Sequence, residues 1–107
     1  MIRGFVTSDG VPAIRLAIAA QDWVAVIDTG FNGDLELPEA LRASLSPWYV
    51  GRVESALAGG QTIEEEVYLV DFPFDGRMVK AETSFVSDTQ ILIGTRLLRD
   101  YHLDVNF

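Results

Sequence analysis

Cysteine is absent and histidine occurs once, at His102. Without thiols there is no disulfide framework, no zinc–thiolate site and no cysteine nucleophile. A lone histidine and the lack of a dense acidic grouping leave little material for a metal centre, so neither a metal nor an organic cofactor is expected. Basic residues are also scarce: eight Lys and Arg stand against sixteen Asp and Glu, a formal net charge of −8. That balance repels phosphate backbones and argues against a nucleic-acid partner. No stretch reaches the roughly 18–20 apolar residues that span a bilayer. The run Val11 to Ala20 is interrupted by Arg15 and follows a polar turn, so it does not read as a secretory signal. No membrane association and a cytoplasmic location are the corresponding expectations.

What the chain does have is apolar content, 49% of its 107 residues, enough to build one core and one domain spanning 1–107. Short runs with a period of two dominate. Ile2 to Thr7 reads as a strand, Ser8-Asp9-Gly10 as a turn, and Val11 to Ala20 as a second strand with Ile14, Leu16 and Ile18 alternating against Arg15 and Ala17. Gln21-Asp22 is read as the tight turn into an apolar strand, Trp23 to Ile27. After the turn-rich Phe31-Asn32-Gly33-Asp34 comes a brief strand over Leu35 to Leu37. Pro38-Glu39 then opens a helix to about Leu45, which Pro47 closes.

Tyr49 to Leu57 and Thr62 to Phe72 form a hairpin with Ala58-Gly59-Gly60-Gln61 at its tip. Phe74-Asp75-Gly76 turns into Met78 to Val86. The apolar run Gln90 to Ile93 stops at Gly94, Thr95 is placed to cap a helix over Arg96 to Tyr101, and Leu103 to Phe107 alternates as a terminal strand. Many short strands with one or two short helices predict a mainly β fold, a small closed β-barrel. Glu64-Glu65-Glu66 reads as a solvated strand edge, His102 as a surface residue, and Trp23 and Trp48 as core or interface aromatics.

The one pattern that bears chemistry is Asp28-Thr29-Gly30. Val24 to Ile27 precede it, so Asp28 leaves a buried strand and enters a turn, held by a rigid element. Thr29 has a hydroxyl to donate to a neighbouring strand or subunit, and Gly30 lets backbone approach the carboxylate. Taken alone, the triplet reads equally as an ordinary turn. Asp88-Thr89-Gln90 lacks the glycine and precedes a strand instead of following one, so it is not a second copy.

Asp-Thr-Gly after an apolar strand, a Gly-containing hairpin in mid-chain, and Leu92-Ile93-Gly94 leading to a helix together resemble the retropepsin-like aspartic proteases of clan AA. Ile27 to Pro38 and Leu92 to Phe107 resemble most its small prokaryotic single-domain group. The resemblance implies the acid-protease barrel and a homodimeric aspartic endopeptidase. In it, Asp28 is the catalytic residue of each chain, positioned by Thr29 and Gly30. The tip Ala58, Gly59 and Gly60 would be the flap over a peptide or protein substrate. Gly94 would be structural, permitting close packing of the Ile91 strand against the strand carrying Asp28, and Leu103 to Phe107 a candidate intersubunit strand. Phe31 replaces a small residue of the viral enzymes; it either narrows the cleft or packs beneath it. The competing expectation is a catalytically inactive dimeric β-barrel that binds an extended peptide by strand addition.

Overall fold

The computed structural model describes residues 1–56 and 59–107, with Ser55 by its backbone alone. Period-two alternation builds one eight-stranded sheet from β1 (Phe5–Val6), β2 (Pro12–Ile18), β3 (Gln21–Ile27), β4 (Leu35–Pro38), β5 (Trp48–Ala56), β6 (Thr62–Phe74), β7 (Arg77–Val86) and β8 (Ile91–Ile93). Their spatial order is β1-β2-β3-β8-β4-β7-β6-β5. The β3–β8 and β4–β7 pairs are parallel and the others antiparallel.

The sheet curls so that β2 packs on β6. Ile14, Leu16 and Ile18 thereby share a core with Leu35, Leu37, Phe72, Phe74, Ile91 and Ile93. Each such side chain contributes about 1.5–3 kcal/mol by leaving water. Most of the fold follows from the alternation, but closure does not. β1 and β5 end the sheet without pairing to each other, so the strands form an open, curled sheet and not a closed barrel.

The last strand in the chain, β8, inserts between β3 and β4. The loop from Asp28 to Asp34, which joins β3 to β4, therefore has to cross the end of β8. That crossing brings Asp28 and Gly94 together although they lie far apart in sequence.

Several elements depart from expectation for identifiable reasons. The first strand shrinks to Phe5–Val6. Pro38 ends β4, and the predicted helix is a 3₁₀ helix over Glu39–Ser44. Residues 96–101 form successive turns and no helix, with Leu98 N–H bonded to Thr95 O at 3.2 Å and Tyr101 N–H to Leu98 O at 2.8 Å. The segment is too short to nucleate a helix, and i→i+3 bonds tighten it instead. Leu97, Leu98 and Tyr101 still pack on the core. Among the described residues, 103–107 pair with no strand: the alternation is present without a ladder.

Glu64, Glu65 and Glu66 pair with Glu54, Val53 and Arg52 of β5 but lie beyond the β6–β7 ladder, which starts at Tyr68, so the stretch has a free edge on that side among the described residues. Arg52 Nη1 on β5 faces Glu64 at 3.3 Å. Trp23 packs against the core, whereas Trp48 is 74% exposed.

The β2–β3 turn is not at Gln21-Asp22. Ile18 pairs with Gln21, so the two-residue loop is Ala19-Ala20, with φ of 52° and 62°. Both residues occupy the left-handed region that alanine disfavours and that Asn-Gly fills readily. Ala19→Asn with Ala20→Gly is therefore expected to stabilise the protein by about 1 kcal/mol, a rise of about 4–8 °C in the thermal midpoint. An unchanged or lower midpoint would contradict the turn assignment.

Candidate active site

Asp28 is where β3 stops contributing side chains to the core and starts a turn. Its N–H still donates to Ile93 O at 2.9 Å, extending the parallel ladder by one bond, and its carbonyl accepts from Phe31 N–H at 3.1 Å, closing a four-residue turn. The carboxylate folds back on that turn: Oδ1 accepts the Gly30 N–H at 2.9 Å. A Cβ on Gly30 would lie 3.3 Å from the same oxygen, so glycine leaves the approach unobstructed. Asp28 is half-buried and Thr29 exposed. Asp28 Oδ2 and the Thr29 hydroxyl have no hydrogen-bond partner among the described residues.

The rest of the loop is fixed by the segment after β8. Gly94 N–H donates to Asp34 O (3.0 Å), Thr95 N–H to Phe31 O (2.9 Å) and Arg96 N–H to Gly33 O (3.2 Å). A Cβ on Gly94 would lie 2.0 Å from Gly33 O and 2.8 Å from Phe31 O, positions that backbone on both sides forbids. The close approach is to the Asp28–Asp34 loop itself. Phe31 lays its ring over Gly33, where a Cβ would meet ring carbons at 2.7 and 2.8 Å.

Asp34, read from sequence as a turn residue, is buried. Its Oδ2 accepts the Glu82 N–H of β7 at 2.9 Å, and Oδ1 lies 3.9 Å from Arg96 Nε. Arg96 also donates to Glu82. Nothing local in the sequence marks these contacts, because Asp34 and Glu82 are 48 residues apart.

Asp28 and Thr29 line a cavity of about 590 Å³ with Val26, Gln90 and Leu92, closed on one side by the tail residues Leu103, Val105 and Phe107. Leu92 pairs with Val26 on one side and with Glu36 of β4 on the other, and Glu36 pairs with Ser84 of β7. Directly paired residues share a sheet face, so Glu36 continues the cavity-lining row away from the core. Sequence reading assigns Glu36 no role beyond its place in the brief strand Leu35 to Leu37. Burial holds its carboxyl above the ordinary carboxylate range, with Glu65, Asp88 and Asp28 adding repulsion.

Of the expected flap, Gly59 and Gly60 are exposed, with φ of 91° and 83°, a turn that favours glycine; Ala58 lies outside the described residues. His102 is exposed.

No protein-family model matches the sequence, and no curated protein matches it. Solved structures do. EIAV protease, in complex with the inhibitor HBY-793, superposes with a TM-score of 0.68 at 18% identity, over 92% of this chain and 97% of that one. Simian foamy virus (mac) protease superposes with a TM-score of 0.63 at 21% identity, over 81% and 91%. The foamy viral protease–reverse transcriptase matches at 0.68 and 19% identity, over 91% of this chain and 13% of that much longer one.

The chain has the retropepsin-like fold. Similarity at this level establishes the fold alone; the chemistry has to be argued from the site.

Two outcomes follow from the retropepsin-like loop. Gly94→Ala is expected to destabilise the protein by about 3 kcal/mol, since backbone on both sides cannot yield; a loss below about 1 kcal/mol in chemical denaturation would refute the close approach. Glu36 titrates higher in the folded chain than unfolded, so the fold binds more protons and stability falls as pH rises through that interval. Glu36→Gln should therefore raise the thermal midpoint relative to wild type at pH 7. The gain should disappear once the pH falls below the ordinary glutamate range. A pH-independent difference would refute it.

Proposed function

We propose that the chain is an aspartic endopeptidase that acts as a homodimer, akin to the small prokaryotic single-domain group of retropepsin-like proteases. The observation that carries this reading is the Asp28 turn. It presents a half-buried carboxylate, with one oxygen held by Gly30 N–H and the other without a partner among the described residues, in a cavity on the end of a buried strand. One carboxylate does not hydrolyse a peptide by acid–base chemistry, and no other hydrogen-bonds to it among the described residues. A two-fold axis beside Asp28 supplies the second from an identical chain.

Two carboxylates about 3 Å apart do not both ionise and share one proton. The ionised member takes a proton from a bound water, which attacks the peptide carbonyl while the protonated member polarises the carbonyl oxygen. The pair then titrates as a unit. Thr29, exposed beside the carboxylate, has its hydroxyl available to the other chain. The tail 103–107, alternating and without a ladder among the described residues, is suited to intersubunit pairing, and the Gly59-Gly60 turn to covering a bound peptide. No cofactor enters this chemistry.

Wild type should cleave an unfolded-protein or peptide-library substrate between about pH 4 and 7, and Asp28→Asn should lose about a thousandfold or more. It should also sediment as a dimer at micromolar concentration. Equal cleavage by the two proteins, or a strictly monomeric species, would sink the peptidase reading. Peptide binding without cleavage would favour the inactive dimeric binder.

A further inference from the structure

Glu36 stands apart from the other carboxylates that the fold removes from full solvent exposure. Asp28 accepts from Gly30 N–H, Asp34 from Glu82 N–H, Glu65 from Ser84 Oγ, Asp75 from Tyr101 Oη and the N-terminal ammonium, and Glu82 from Arg96. Glu36 accepts from nothing among the described residues. Its two ladder neighbours explain why. Leu92 has no donor, and the Ser84 hydroxyl is already given to Glu65 at 3.2 Å. A half-buried carboxylate without a donor is disfavoured until a cation or donor arrives.

The row Val26, Leu92, Glu36 runs outward from beside Asp28, and its first two members line the Asp28 cavity. A peptide lying across Asp28 in extended form would place alternate side chains along such a wall. The wall is apolar at Val26 and Leu92 and anionic at Glu36. Its charged surroundings have one sign: the groups whose charges act on Glu36 are Glu65 from β6, Asp88 from the turn before β8, and Asp28. A metal ion is a poor candidate for the missing partner, since no group of three or more His, Asp or Glu among the described residues is placed to hold one.

We infer that Glu36 is a specificity-determining residue, selecting peptides that carry a lysine or arginine side chain flanked by apolar residues in the segment bound across Asp28. This rests on the reading of the Asp28 cavity as a peptide-binding cleft, and it goes further by naming what the peptide carries. The ammonium or guanidinium would donate to the Glu36 carboxylate, while the aliphatic stem covers Leu92. Charge complementarity of this kind discriminates between peptides more than it adds raw affinity. Ionised Glu36 is required, so the preference weakens as pH falls through its raised titration range, where the charges of Glu65, Asp88 and Asp28 act on it.

The test uses fluorescein-labelled decapeptides with one apolar frame, each carrying Arg, Gln or Glu at one position scanned along the frame. Binding is read by anisotropy on full-length Asp28→Asn, which is not expected to cut them, and on the same chain with Glu36→Gln added. Cleavage of the same set by wild type is run in parallel. At pH 7 the best Arg peptide should bind about fivefold or more tighter than its Gln counterpart, the Glu peptide should bind weakest, and Glu36→Gln should reduce the Arg advantage to below about twofold. Equal binding of Arg and Gln peptides at every position would overturn the inference. So would an Arg advantage that survives Glu36→Gln, or failure of every peptide to bind. Cleavage separates the two claims: cutting without an Arg preference removes the inference and leaves the peptidase, whereas Arg-selective, Glu36-dependent binding without cutting keeps the inference and removes the peptidase.

Discussion

Four backbone hydrogen bonds between the Asp28–Asp34 loop and residues 93–96 hold the site together. Asp28 donates to Ile93, while Gly94, Thr95 and Arg96 donate to Asp34, Phe31 and Gly33. Each contributes about 1 kcal/mol net, but their effect on geometry exceeds that sum. They tie together two segments far apart in sequence that β8 brings side by side, and they fix the loop that carries the carboxylate. The arrangement requires two backbones in contact, which is why Gly94 has no tolerance for a side chain. The Asp34 carboxylate extends the tie to β7 through Glu82 N–H. Asp28 is thus positioned by main-chain contacts that converge from β3, β8 and β7, and its own side chain needs only the Gly30 N–H to be oriented.

Much of this was legible in the chain. Alternation at Ile14, Leu16 and Ile18 marked β2, Asp75-Gly76 marked a hairpin with both residues at positive φ, and the position of Asp28 after Val24 to Ile27 marked a strand-end carboxylate. What escaped was whatever depends on partners distant in sequence. Ala19-Ala20 makes a turn because Ile18 and Gln21 must pair, overriding the weak turn preference of alanine. Residues 96–101 do not become a helix because the segment is too short to nucleate one, and i→i+3 bonds tighten it into turns packed on the core. Residues 103–107 keep their alternation without a ladder, since pairing is a property of two segments. Asp34 read as a turn residue and Glu36 had no role assigned for the same reason: a local pattern does not say what lies opposite on a strand distant in sequence.

The open sheet has a functional reading of its own. A sheet that closes on itself has satisfied its edges, whereas this one leaves unpaired segments and a carboxylate with an unused oxygen near the same cavity. Under the proposed dimer these are one requirement and not two. The pairing that supplies the tail with a ladder also supplies Asp28 with its proton-sharing partner, so assembly and catalysis are coupled by symmetry. A chain of 107 residues holds one Asp-Thr-Gly, and symmetry is the least elaborate way for it to complete such a site.

Symmetry also sharpens the argument about charge. In the proposed dimer, a two-fold axis at Asp28 would present Glu36 on both sides of a bound peptide, with like charge from Glu65 and Asp88 acting on each. The net charge of −8 per chain would double in that dimer, and an acidic peptide approaching such a cleft would meet repulsion before any contact. A basic segment is drawn toward it, and the Glu36 carboxylate, strained by burial when alone, gains the donor its ladder neighbours do not give. The same residue that lowers stability in the empty chain would then contribute to binding in the occupied one, a trade of stability for recognition.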